Sequence, residues 1–145
     1  MSSSSPPRAE LAPGLSVAGK LDPDDIETLA AAGVRTIVNN RPDDEDPGQL
    51  PAAEARRLAE AHGIAYHHIP VTAASLSRAD VEAFAAVLGS APQPVVAHCR
   101  SGTRSTLLWA LARMREGADP FALVAEAARH GIDIAALPAI AARLR

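Results

Sequence analysis

The segment His98-Cys99-Arg100-Ser101-Gly102-Thr103-Arg104-Ser105 gathers the residue types that nucleophilic attack on an anion requires. It follows Val95-Val96-Ala97, a short apolar run of the kind that forms a strand buried on both faces. In open α/β sheets, ligands bind beyond the carboxyl ends of the strands. Cys99 sits at that end, and a helical pattern starts a few residues later. Backbone N–H groups in such a turn converge into an anion cradle. The helix dipole adds positive potential there. Gly102 lets the backbone bend where a side chain would obstruct. Arg104 can fold over the cradle and offer a planar fork to an oxyanion. Together these effects favour the thiolate of Cys99, the form in which cysteine is a nucleophile. Ser105 is placed to donate a hydrogen bond to the sulfur and ease its departure as a leaving group. Arg100, Ser101, Gly102, Thr103 and Arg104 make up the expected oxyanion site. The competing reading of a lone cysteine is a buried small hydrophobe. That reading leaves Arg100, Gly102, Arg104 and Ser105 unexplained.

The rest of the chain must position this loop. Its 145 residues suggest one domain, since domains run to roughly 100–200 residues. Aromatics are only 3%, so the core is expected to be mostly Ala, Leu, Val and Ile. Net charge is −3, and no basic stripe with interleaved aromatics appears, which argues against nucleic acid as a partner. No apolar run approaches the ~20 residues needed to span a bilayer. The N-terminal MSSSSPPRAE lacks the apolar stretch of a secretory signal. A single cysteine excludes an intrachain disulfide and a multi-thiolate metal site. These features point to a soluble, cytoplasmic domain with no membrane partner, no metal and no cofactor.

Residues 1–8 are Ser/Pro-rich and read as a disordered tail, leaving 9–145 as the domain. Leu15-Ser16-Val17-Ala18 is a strand candidate. Asp22-Pro23 opens a helix that Gly33 closes. Val34 to Val38 is a second strand, followed by the polar loop Asn39 to Gly48. Pro51 to His62 is a helix ended by Gly63, and Ile64 to Ile69 a third strand. Ser77-Arg78-Ala79-Asp80 has the form of a capping box that starts a helix to about Leu88. After the Cys loop come a helix to about Glu116, another opened by Asp119-Pro120, and a last short helix. This alternation predicts an α/β fold with a mainly parallel central sheet flanked by helices. His67 and His68 are adjacent, so on a strand they face opposite sides and cannot chelate together. Trp109 lies at a core-packing position on the helix after the Cys loop.

With these elements in place, the sequence resembles the phosphatase-like domain family of bacterial beta-lactamase-hydrolase-like proteins. The resemblance rests on Thr36-Ile37-Val38-Asn39-Asn40-Arg41-Pro42-Asp43-Asp44-Glu45, on His68-Ile69-Pro70-Val71, and on the Cys loop with Leu108-Trp109-Ala110-Leu111. That family is related to dual-specificity and tyrosine phosphatases, so the resemblance implies a protein tyrosine phosphatase-like fold. It also implies Cys99 as nucleophile, Arg104 as oxyanion clamp and the amides from Arg100 to Arg104 as cradle. His98 would tune the thiolate from behind, and Ser105 would assist breakdown of a covalent intermediate.

Two features depart from tyrosine phosphatases. Those enzymes place five residues between Cys and Arg, whereas four lie between Cys99 and Arg104. Cys-Arg-Ser-Gly-Thr-Arg is similar to the active loop of rhodaneses, which carry a persulfide. The loop Val71 to Ser77, where such phosphatases hold an Asp general acid, contains no carboxylate. Asp80 follows it and reads as a capping residue. Arg41, Asp43, Asp44 and Glu45 follow the second strand and should face the same crevice; one carboxylate can supply the acid and Arg41 can bind the far side of a substrate. The competing reading is a solvated charged turn with Arg41 paired locally. The leading function is therefore a Cys-dependent phosphatase-like hydrolase acting on a phosphorylated or small-molecule substrate through a thiophosphoryl intermediate. A sulfurtransferase using a sulfane-sulfur substrate is the alternative, and a non-catalytic oxyanion-binding module is the third reading.

Overall fold

The computed structural model describes residues 6–144. A five-stranded sheet has the order β1-β2-β5-β3-β4, formed by β1 (Arg8–Ala12), β2 (Leu15–Ala18), β3 (Thr36–Asn39), β4 (Ala65–His68) and β5 (Val95–His98). Among the described residues the β1–β2 pair is antiparallel, and β2–β5, β5–β3 and β3–β4 are parallel. The mainly parallel sheet expected from the alternating pattern is thus present. The most apolar strand, β5, occupies the centre of the sheet, where both faces need covering.

The side-chain alternation of the strands sorts the core into two halves. Val95 and Ala97 of β5, with Val17 and Val38, pack under α3 (Arg78–Ser90), α4 (Thr103–Arg115), α5 (Pro120–Arg129) and α6 (Leu137–Arg143). Val96, with Ala18, Ile37 and Tyr66, packs under α1 (Pro23–Ala31) and α2 (Ala52–Ala61) on the other face. Phe84 and Leu108 are fully buried in the larger half, each stabilising by about 1.5–3 kcal/mol relative to exposure. Trp109 belongs to the same cluster, as its position predicts.

The helix starts follow the caps that the sequence announces. Asp22 and Asp25 form a reciprocal capping box at α1, and Ser77 and Asp80 form one at α3. Asp119 accepts from the Ala122 amide at α5. Asp80 is therefore committed to its helix.

One strand escapes the sequence reading. The tail expected over residues 1–8 ends inside β1, because Arg8 pairs with Ala18; residues 1–5 lie outside the described residues. Its signal is faint: Ala9 and Leu11 turn inward while Arg8 and Glu10 stay exposed, and Ala has little β-propensity. What holds the strand is its partner, reached through Pro13-Gly14, with Gly14 at φ 81°. No helix among the described residues is long and apolar enough to cross a membrane.

Candidate active site

Cys99 lies directly after β5 and is completely buried. The chain then turns through Arg100 and Ser101 to Gly102, which takes a left-handed φ of 93° and caps α4. An L side chain pays for that conformation, so glycine is the residue that suits it. The turn aims the Gly102 N–H at Cys99 Sγ, 3.1 Å away. This amide hydrogen bond stabilises negative charge on the sulfur. The first amides of α4 have no intrahelical acceptor and leave further donors at the same end.

The loop is braced from β2. The Cys99 amide donates to Ala18 O at 3.4 Å and the Lys20 amide to Arg100 O at 3.1 Å. Gly19 faces this contact closely: a Cβ there would stand 3.2 Å from Arg100 O. Within the loop, Thr106 Oγ1 donates to Gly102 O at 2.8 Å, and the Ser101 and Thr103 hydroxyls share a 3.2 Å hydrogen bond.

Arg104 projects from the first turn of α4. Its Nη1 and Nη2 donate to Glu45 Oε2 and Oε1 at 2.7 and 2.9 Å, a fork-to-fork pair. Nη1 also donates to Val71 O at 3.0 Å. Arg104 is driven to hold its proton more tightly, first by Glu45 and then, against burial, by the neighbouring Cys99 sulfur. The Arg104 guanidinium in turn holds the Glu45 carboxyl below the usual carboxylate range, opposed by burial and helped by Arg41. The expected oxyanion clamp thus already grips an oxyanion, and it is a carboxylate of the chain itself.

The polar loop after β3 resolves into separate jobs. Arg41 is buried; its Nε donates to Glu45 at 3.1 Å and its Nη2 to Asp46 at 2.5 Å. It is paired locally rather than open toward a substrate's far side. Asp43 is not in the crevice group, because its Oδ1 accepts from the Ala52 amide and caps α2. Asp44 sits exposed at the tip with φ 64°. Asp46 was not singled out from the sequence, yet its Oδ2 also accepts from Arg100 Nε at 3.1 Å. It ties the β3 loop to the Cys loop.

Ser105 differs from expectation. Its fully buried hydroxyl donates to Asn40 Oδ1 at 2.8 Å, not to the sulfur. Asn40 Nδ2 donates to Ile69 O, and the Asn40 amide donates to His98 O at 2.7 Å. Asn40 therefore joins β3, β5 and α4, a role that sequence reasoning missed. Its signal was available: like Cys99, it stands just past the carboxyl end of a central strand.

His98 is the last residue of β5, buried immediately before Cys99. Burial pushes its pKa down to about 4, against the Cys99 backbone beside it and with help from Arg41 and His68. The ring is therefore neutral near pH 7, and its Nδ1 is buried with no hydrogen-bond partner among the described residues. His68 turns instead to Arg41 O, with Nε2 at 2.9 Å.

Comparison with known proteins agrees with this architecture. Residues 8–116 match the family model for the beta-lactamase hydrolase-like protein, phosphatase-like domain. A beta-lactamase hydrolase-like protein of Agrobacterium fabrum is 35% identical over 84% of this chain. Relatives of the same name from Xylella fastidiosa are 35% identical over 71% of it. The chain spans only 28% and 24% of the length of these relatives. Among solved structures, a candidate phosphatase from Neisseria meningitidis superposes with a TM-score of 0.82 at 34% identity, covering 90% of this chain and 94% of that one. The core catalytic domain of a Saccharomyces cerevisiae PP-IP phosphatase shares the fold at 16% identity, with a TM-score of 0.69 over 98% of this chain and 95% of that one. The sulfur-transfer reading gains no support from these likenesses. Fold, loop and matched residues together make this chain a member of the beta-lactamase hydrolase-like protein, phosphatase-like domain family.

Proposed function

We propose that the domain hydrolyses phosphate esters or anhydrides by covalent catalysis at Cys99. The observation that carries this reading is the Arg104 fork, already engaged by a carboxylate beside a sulfur that accepts the Gly102 N–H. A phosphoryl group replaces the Glu45 carboxylate on that fork, and the loop amides from Arg100 to Arg104 receive its remaining oxygens. This places phosphorus above Sγ for in-line attack. Arg100 and Arg41, bridged by Asp46, hold the β3 loop against the cradle. Asn40 positions Ser105 and the start of α4. His98, neutral and buried, supports the loop from below and keeps a second charge away from the thiolate.

The test is turnover of an artificial aryl phosphate by the wild-type chain, with inhibition by vanadate. Cys99→Ser is expected to abolish turnover while retaining oxyanion affinity. Undiminished turnover in that variant would remove Cys99 as nucleophile. Vanadate binding without any turnover in the wild type would leave an oxyanion-binding module. An intact-mass gain of one sulfur on Cys99 after thiosulfate, reversed by cyanide, would favour sulfur transfer.

A further inference from the structure

Breaking a phosphorus–oxygen bond leaves an oxygen with a new electron pair, and a general acid that protonates it contributes typically 10²–10⁴-fold. Such an acid must arrive carrying a proton and free to give it. Among the described residues, no carboxyl group at the carboxyl edge of the sheet is in that state. After β2, Asp22 and Asp25 are engaged in the α1 capping box. After β3, Asp43 accepts from the Ala52 amide, and Asp46 accepts from both Arg41 and Arg100. Glu45 yields Arg104 to the incoming phosphoryl group but keeps its bond to Arg41 Nε at 3.1 Å, and that guanidinium continues to favour its ionised form. After β4, the segment Val71 to Ser77 begins at the clamp itself, since Val71 O accepts from Arg104. It contains no carboxylate. Its Thr72 and Ser75 hydroxyls are bonded to each other, and Asp80 beyond it accepts from the Ser77 amide and hydroxyl. Asp24 and Asp44 are exposed and make no hydrogen bond or ion pair to the Cys loop among the described residues. The residues outside the described range, Met1–Ser5 and Arg145, bear no carboxylate side chain.

Resting on the phosphatase reading above, we infer that the site is built for substrates whose leaving group departs as a stable anion. These are phosphoanhydrides and acyl phosphates, in preference to phosphate esters of alcohols. The Cys99 thiolate lone pair forms the S–P bond, and the P–O bond breaks with its electron pair remaining on the leaving oxygen. That oxygen leaves as phosphate or carboxylate and takes no proton from the protein. Water then attacks phosphorus and the S–P electrons return to sulfur; one water proton passes to solvent and the other stays on the released phosphate. Leaving phosphate, with its pKa near ~6, and leaving carboxylate, near ~4, tolerate departure unprotonated. A phenol near ~10 is intermediate, and an alkoxide is far more basic.

The experiment measures kcat/KM for the wild-type chain against aryl phosphates of graded leaving-group acidity, with acetyl phosphate and phosphoserine at the extremes. kcat/KM reports formation of the S–P bond, the step in which the leaving oxygen departs. The expected result is a loss of about fivefold or more per unit of leaving-group pKa, with phosphoserine at least ~10⁴-fold slower than acetyl phosphate. A slope shallower than about twofold per unit, with phosphoserine turned over readily, would reveal an acid and overturn the inference while leaving the phosphatase reading intact. Failure to turn over even dinitrophenyl phosphate and acetyl phosphate would overturn both.

Discussion

Replacing Arg104 tests whether the fork, rather than mere positive charge, binds the reacting group. In the resting structure this side chain makes two charge-assisted bonds to one carboxylate, at 2.7 and 2.9 Å. Hydrogen bonds to charged groups contribute about 1.5–3 kcal/mol each, so transferring both to a phosphoryl group stabilises it by about 3–6 kcal/mol. Arg104→Ala should therefore lower kcat/KM for an aryl phosphate by about 10²–10⁴-fold. The inhibition constant of vanadate should weaken in the same variant. Arg104→Lys keeps a charge but loses the planar fork, so it should recover less than a tenth of the wild-type value. Both variants release Glu45 from one partner while Arg41 retains it. The accompanying stability loss is about 1–3 kcal/mol, visible in denaturant melts and too small to unfold the domain. An Arg104→Lys variant within about threefold of wild type would show that a point charge suffices, refuting the bidentate argument. So would an Arg104→Ala variant that keeps vanadate affinity.

His98 should make the fold acid-sensitive. Its pKa falls from 6.5 in the unfolded chain to about 4 in the folded one, so the unfolded state binds the proton first as pH drops. Stability from keeping this ring neutral is complete above pH 6.5 and is lost as pH falls toward 4, by about 3 kcal/mol in all. The difference in pH slope between wild type and His98→Gln in denaturant melts isolates this contribution; parallel slopes across that range would contradict it. Ser105→Ala leaves the buried Asn40 Oδ1 without its donor, at a cost of about 1–3 kcal/mol. An unshifted urea midpoint in that variant would mean that the bond between α4 and the β3 loop contributes nothing.

Much of the architecture was legible because local signals agree with the global arrangement. Asp22, Ser77 and Asp119 cap helices where their sequence context announces them. The unbroken apolar run Val95-Val96-Ala97 announces a strand with two covered faces, and β5 is the central strand. β1 was hidden because an Ala-rich edge strand is specified by its neighbour more than by its own residues.

The candidate site divides along the same line. Cys99, Gly102 and Arg104 lie within one turn, so their mutual placement follows from a strand end, a glycine and a helix start. That much the chain's local order determines. The partners of Arg104 and Ser105 stand 59 and 65 residues away, at Glu45 and Asn40. Sequence can mark such residues as available, but not which will meet. Parallel pairing of β3 with β5 in register, Asn39 beside His98, brings their following loops to one edge. There the closest donor and acceptor pair wins. Asp43 turned back to α2 while Glu45 and Asp46 reached the arginines, because helix capping and ion pairing compete locally for carboxylates that look alike in sequence.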